Sequence, residues 1–329
     1  MWGNNRVIET PSTIYRNLRE EALQVLEDEP ELQFLLHGTV LHESVTNFSE
    51  AIAMTARYRL LLLAPCDSSA AAFCPKALEN ILLDCMDDKA ILEQGHTMQD
   101  AVVADILAVC RRDPAMMSPL QVILFSKGFI SLVCHRAAYR LLQRQKKFTA
   151  LLLQSQVAAT FGVDIHPAAQ LGSALMLDHG TGIVIGETAT VGDGCTFLHG
   201  CTLGGTGKVT GDRHPKVGND VLIGANATLL GNIEIGDGVK IGAGSVVLRH
   251  IPNGTTAVGV PARIIGRASE DKPGSVVDET LEHVDLFQRT PSVPSAVHLK
   301  NLELCTFAEQ GSTANDDSVS SSSCDIDLE

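Results

Sequence analysis

"VLIGANATLLGNIEIGDGVKIGAGSVV", residues 221–247, places an aliphatic side chain at every sixth position: Ile223, Leu229, Ile235, Ile241 and Val247. A period of six fits neither the 3.6 of a helix nor the 2 of an alternating strand. It fits a prism whose three flat faces each use one hexapeptide, so that three hexads complete a coil and each aliphatic residue stacks inward on its counterpart one coil away. Outward from this stretch the same beat takes in Ile165, Leu171 and Leu177, then Ile185, Val191, Phe197 and Leu203, then Val217. Glycine very often comes next, as at Gly172, Gly186, Gly192, Gly218 and Gly224, which reads as freedom to turn a corner. Small or branched residues recur four places after the aliphatic one, as at Ala169, Ala189 and Ala227. Cys195 and Cys201 fall on such inward positions and read as core filler, not nucleophiles. A β-sandwich would need alternation and longer strands, and neither is present.

The beat is broken twice. Leu177 and Ile185 are eight apart where six is expected, and Asp178 and His179 lie between them. Leu203 and Val217 are fourteen apart where two hexads would take twelve, and the filler, "GGTGKVTGDRHPK", has little aliphatic content to turn inward. That second stretch is expected to leave the wall as a loop carrying Arg213 and His214 near its end. Its "GGTGK" is no nucleotide P-loop, because no glycine lies five residues before Gly207 and Val209 follows Lys208 where Ser or Thr is required.

Upstream, helical periodicity predominates. In "TPSTIYRNLREEALQVLEDEP" Ser12 or Thr13 is the expected cap, Ile14, Leu18, Ala22, Val25 and Leu26 form one stripe, and Pro30 stops the helix. Further helices are expected near 31–46, 48–63, 76–94, 97–112, 118–144 (interrupted by Gly128) and 147–161. The fold class is α+β: an all-α assembly domain at 1–161, a catalytic prism of parallel strands at 162–267, and a tail at 268–329. The tail holds thirteen acidic residues against three Lys/Arg and reads as disordered.

Composition narrows the function. The 329 residues carry a formal charge of −14 with no Lys/Arg run, which argues against nucleic acid and anionic membranes as partners. No apolar stretch reaches the roughly 18–20 residues of a membrane span. The start, "MWGNNRVIETP", resembles neither a signal nor a transit peptide, and the nine cysteines show no C-x-x-C pattern. A cytoplasmic location is expected, with no metal site.

Among the histidines of the repeat, His179 alone has a carboxylate neighbour, a nearby insertion and a second carboxylate, Asp164, about one coil earlier. A carboxylate that accepts one imidazole N–H leaves the other nitrogen free to act as a base near neutral pH.

"VDIHPAAQLGSALMLDHGTGIVIGETATVGDG", "TLGGTGK", "GDRHPKVG" and "VPARIIG" closely resemble serine acetyltransferases, and "REEA", "ADILAVCRRDPA" and "FSKGF" extend the likeness through the helical region. The resemblance covers roughly residues 11–267 and implies a left-handed parallel β-helix. It implies transfer of acetyl from acetyl-CoA to the L-serine hydroxyl, giving O-acetyl-L-serine and CoA, the first step of cysteine biosynthesis. His179 matches the general base and Asp164 its orienting partner. Asp113 and Asp178 match carboxylates that hold the substrate ammonium, and Arg213 and His214 match groups that bind its carboxylate. Gly204, Gly205, Thr206, Ala225 and Ala243 match positions that admit the pantetheine arm, while Glu187 is a weaker candidate. The family also implies trimers with active sites between subunits, paired trimers joined by the helical domains, and L-cysteine competing at the serine site. Many members end in an isoleucine that inserts into O-acetylserine sulfhydrylase; this chain ends Asp327-Leu328-Glu329, which puts that complex in doubt. The rivals are a sugar acetyltransferase on the same prism, a zinc enzyme like the γ-class carbonic anhydrases, and an inactive scaffold. They lack, respectively, a need for the split of charges, the histidine ligand spacing, and a reason for the Asp–His set.

Overall fold

A computed structural model describes residues 10–62, 74–89, 97–116, 118–208, 210–268 and 272–275. The eight α-helices among them are α1 (Pro11–Asp28), α2 (Gln33–His37), α3 (Phe48–Leu61), α4 (Pro75–Met86), α5 (Met98–Arg112), α6 (Pro119–Phe125), α7 (Lys127–Gln143) and α8 (Lys147–Phe161). Thr10, not Ser12 or Thr13, caps α1, with Pro11 in the first turn, where its missing N–H costs nothing. Within the expected helix at 31–46 only α2 and a preceding short 3₁₀ turn form; the chain then closes in turns on Thr39 and His42. The break in the long apolar helix falls at Ser126, whose hydroxyl caps α7. Gly128 instead serves packing: a Cβ there would overlap the Leu177 carbonyl, so its absence lets α7 press against the coil that carries Asp178 and His179. Among the described residues no single helix is long and apolar enough to cross a membrane.

The repeat forms the expected left-handed β-helix, its faces being sheets of five, four and six strands that pair in parallel except for the last strand of the six-stranded sheet. The first face contains Val163–Ile165 and Thr228–Leu230, the second Gln170–Leu171 and Lys216–Val217, and the third Met176–Leu177 and Thr196–Phe197. All thirteen in-phase residues are buried, and Leu229 pairs with Val247 and Ile223 with Ile241, one coil of eighteen apart. An antiparallel pair, Thr255–Gly259 with Ala262–Arg267, ends the solenoid.

Two readings of the repeat need correction. The glycine after the aliphatic residue is required by space rather than by a left-handed turn. Gly192 is absent from the positive-φ positions, but a Cβ on it would meet the Gly218 backbone of the next coil at 2.8 Å. There Asn219 Oδ1 accepts from the Asp193 amide at 2.9 Å, so glycine lets one coil's Asx side chain fasten the coil before it. The second insertion is also larger than two residues. Thr202 pairs with Thr228, twenty-six positions on, against the eighteen of a regular coil, so eight extra residues leave the wall. The first insertion has its expected size: Val163 pairs with Ile183, twenty positions on.

One buried ion pair joins the helices to the solenoid. Arg136 on α7 donates from Nε and Nη2 to Asp105 Oδ2 on α5, at 3.1 and 2.7 Å. It also donates to the Gly172 carbonyl at 2.8 Å, and Asp105 Oδ1 accepts from the Leu175 amide at 2.9 Å. Both ends of the pair therefore hold the coil that leads into Asp178. Inside the stretch expected to be disordered, Pro273–Ser275 form a 3₁₀ turn with Pro273 and Gly274 buried, and the Gly274 carbonyl accepts from Thr196 on the third face. Residues 276–329 lie outside the described residues, as does the rest of that expectation.

His135 on α7 is buried beside Arg136, and burial followed by that guanidinium pushes its pKa down to about 3. The unfolded chain, near 6.5, then binds the extra proton, so this contribution is complete above pH 6.5 and fades as pH falls toward 3. Relative to His135→Leu, the parent chain should lose about 2 kcal/mol of stability between pH 7 and pH 5. Denaturant midpoints of both proteins at the two pH values measure this, and parallel pH trends would refute it.

Candidate active site

The segment 178–182, which contains the first insertion, turns the corner between the third and first faces. Gly180 N donates to the Asp178 carbonyl at 2.6 Å and Thr181 N to the His179 carbonyl at 2.8 Å. His179 sits at φ +53°, left-handed backbone that a non-glycine residue adopts at a cost of about 1–3 kcal/mol. The result is an imidazole turned out of the wall, its side chain 75 % exposed and Nε2 3.8 Å from Asp178 Oδ2. Such strain persists only where the surroundings impose it, and functional sites are where it concentrates. Burial pushes the Asp178 carboxyl up, His179 draws it down, and the charge of Asp113 raises it again. Asp113, at the C-terminus of α5, is thus brought beside Asp178 from the helical region. Its own Oδ1 accepts from the Ala115 amide at 2.8 Å.

The edge beneath this corner continues with His199, Ala225 and Ala243, one per coil. The His179 and His199 rings meet edge-on with centroids 6.0 Å apart. Asn226 N donates to the His199 carbonyl and Gly244 N to the Ala225 carbonyl, which stacks these residues in line. Below the histidines the side chains at these positions are the methyl groups of Ala225, half-buried, and Ala243, exposed.

A second group of polar residues lies at a different corner, between the first and second faces. Here the loop from Gly205 to Pro215 returns to the wall. The Thr188 hydroxyl accepts from the Arg213 and His214 amides at 3.0 and 3.1 Å, and lies 2.9 Å from His214 Nδ1. Thr188 N also donates to His214 Nδ1, at 3.1 Å, so Nε2 carries the proton of a neutral ring. Burial, then the Arg213 charge, holds the His214 pKa below the usual imidazole value. Arg213 donates to Glu187 Oε2 at 2.7 Å, and that hydrogen bond holds the Glu187 carboxyl below its usual range. A Cβ on Gly186 would overlap the His214 ring. Arg213 and His214, with Gly205, Gly207 and Thr210, line a cavity of about 540 Å³.

The structure thus gathers Asp113, Asp178 and His179 at one edge, with Ala225 and Ala243 below them. It gathers Gly204, Gly205, Thr206, Arg213 and His214 at another. Asp164 stands on the outer side of the first face, where Oδ1 accepts from Gln154 Nε2 at 2.6 Å; among the described residues no hydrogen bond joins it to His179. Thr188 and Gln154 were not singled out from the sequence. Polar residues on the outer side of a strand or helix leave no trace in a pattern written by the inward ones. No group of His, Cys, Asp and Glu among the described residues is arranged to hold a metal ion. Cys195 and Cys201 are buried as expected, and burial pushes the Cys195 thiol up to about 12.

Comparison with known proteins agrees in both halves. Residues 14–134 match the family described as serine acetyltransferase, N-terminal, and residues 214–249 match the bacterial transferase hexapeptide (six repeats). The chain is 41 % identical to a serine acetyltransferase of Salmonella typhimurium over 81 % of its own length and 92 % of that protein's. It is 40 % identical to serine acetyltransferase 4 of Arabidopsis thaliana, over 82 % and 70 %. Soybean serine acetyltransferase solved with serine superposes at a TM-score of 0.70, with 40 % identity over 79 % of this chain and all of that one. The enzyme of Brucella abortus strain S19 solved with coenzyme A superposes at 0.69, with 42 % identity over 78 % and 96 %. A serine acetyltransferase complex with cysteine superposes at 0.70, with 39 % identity over 79 % and 95 %.

Proposed function

The chain belongs to the serine acetyltransferase family, and from that membership we propose how its residues move acetyl from acetyl-CoA to the hydroxyl of L-serine. Asp113 and Asp178 take the substrate ammonium, while Arg213 and the neutral His214 donate to its carboxylate. A zwitterion held at both ends has its hydroxyl fixed against a base. His179 removes the hydroxyl proton as the oxygen attacks the acetyl carbonyl, and the resulting imidazolium returns a proton to the departing sulfur. Asp164 orients the imidazole in the assembled site. The pantetheine arm lies on the strip of Ala225 and Ala243, against the Gly204–Gly205–Thr206 corner.

The observation that carries this reading is the separation of the two groups. One edge holds the base and the carboxylates, another holds Arg213 and His214, the two donors to the substrate carboxylate, and one chain does not bring them together. A closed ring of identical chains sets the first edge of one against the second edge of the next, which supports a homotrimer with interfacial sites. Purified protein should release CoA thiol from acetyl-CoA with L-serine, and added L-cysteine should compete with serine. Release with a sugar but not with L-serine would overturn the reading, and stoichiometric zinc in active protein would favour the metalloenzyme.

Arg213→Ala should lower kcat/KM for L-serine by about 10–100-fold, the loss of a charged hydrogen bond worth about 1.5–3 kcal/mol. KM for acetyl-CoA should stay within about twofold. An unchanged serine KM would remove Arg213 from the site.

A further inference from the structure

Asp113 and Asp178 arrive from separate parts of the fold, and like charges at close range repel. Something has to hold them together. The ammonium site is a site only if that distance is kept before the substrate arrives.

The strand Thr196–Phe197 touches both arms. On one side the Asp178 amide donates to the Phe197 carbonyl at 2.8 Å, and Met176 and Leu177 pair with Thr196 and Phe197. On the other, Arg112, the residue before Asp113, donates from Nη1 to the Thr196 hydroxyl at 3.1 Å and to the Cys195 carbonyl at 3.3 Å. The hydroxyl spends its own proton on the Gly274 carbonyl at 2.6 Å. Thr196 is fully buried, so each bond is made away from water, where losing it is costly.

Gly274 is itself fastened. Its amide donates to the Asp220 carbonyl at 2.9 Å, and Lys272 pairs with the Asp220 carboxylate at 3.1 Å. A Cβ at 274 would overlap the Gly194 carbonyl, so only glycine brings this strap close enough to accept from Thr196. With its proton committed to Gly274, the Thr196 oxygen presents a lone pair to Arg112.

We propose that Thr196 is a positioning residue for the serine ammonium site, holding Asp113 and Asp178 at a fixed separation, and that the strap Lys272–Ser275 locks its hydroxyl in the orientation this requires. The proposal rests on the assignment of Asp113 and Asp178 to the substrate ammonium. It assigns a role to four residues beyond the solenoid that neither matched family segment includes.

The test is steady-state kinetics on full-length Thr196→Val, Thr196→Ser and Gly274→Ala. Valine keeps the shape without the hydroxyl; serine keeps the hydroxyl. Thr196→Val should raise KM for L-serine about 5–20-fold while leaving KM for acetyl-CoA within twofold, and Thr196→Ser should return most of the loss. Gly274→Ala should shift the serine KM in the same direction. A general loss of structure would move both KM values and the melting temperature together, with no recovery in Thr196→Ser, and that outcome overturns the proposal. So does an unchanged serine KM in Thr196→Val. Asp113→Asn and Asp178→Asn test the underlying assignment separately: if both leave the serine KM unchanged, the ammonium site itself is wrong, whatever Thr196 does.

Discussion

His179→Ala lowers turnover by about 10²–10⁴-fold with the solenoid intact, the amount that a positioned general base contributes. The side chain makes this a clean experiment. It is three-quarters exposed in the isolated chain, so no core contact is lost with it, and the change to alanine leaves the strained backbone to the surrounding turns. Circular dichroism and the oligomeric state should match the parent enzyme. KM for either substrate should change little, because the ring acts on a proton and not on the charged groups that bind serine. Asp164→Asn should cost less, since an orienting carboxylate acts only through the imidazole. Near-parental turnover in His179→Ala would falsify the assignment of the base. A loss confined to KM would instead make the ring a binding group.

The β-helix was legible because its inward residues are repeated and nearly uniform. A buried aliphatic position in one coil dictates the next, so Ile223 announces Ile241. The partners of the glycines were not legible: Gly192 is demanded by Asn219 in the following coil, a contact that no inspection of φ preference reveals. The size of the long loop is hidden in the spacing because fourteen residues resemble two hexads and a remainder, whereas pairing shows one hexad and eight residues that leave the wall. The candidate residues stand out in the sequence because they lie in the two breaks or where a known family's motif falls. Their distribution over two edges was hidden, since neighbours in sequence say nothing about which corner of a prism they occupy. Thr188, Thr196 and Gln154 belong to the same hidden class. Each acts through a hydroxyl or amide that reaches a residue distant in sequence on another element, and nothing local in the sequence marks it.

The second large effect lies away from the chemistry. Asp105→Leu should destabilise the protein by about 3–5 kcal/mol, because it strands the Arg136 guanidinium, whose side chain is 2 % exposed, with no counter-charge. An exposed pair such as Lys272 with Asp220 is worth far less, since water screens it. The loss should appear as a lower denaturant midpoint, and it should carry a functional signature. Asp105 Oδ1 also holds the Leu175 amide, three residues before Asp178, so the coil bearing the site loosens with it. The double variant Asp105→Leu, Arg136→Met separates the two contributions. Removing both charges relieves the stranded guanidinium and should recover a large part of the stability. It cannot restore the partners of the Leu175 amide or of the Leu171 and Gly172 carbonyls, so recovery stays incomplete and the serine KM stays raised. Equal stability in the parent and Asp105→Leu would mean that the pair does no more than fill space between α5, α7 and the first coil.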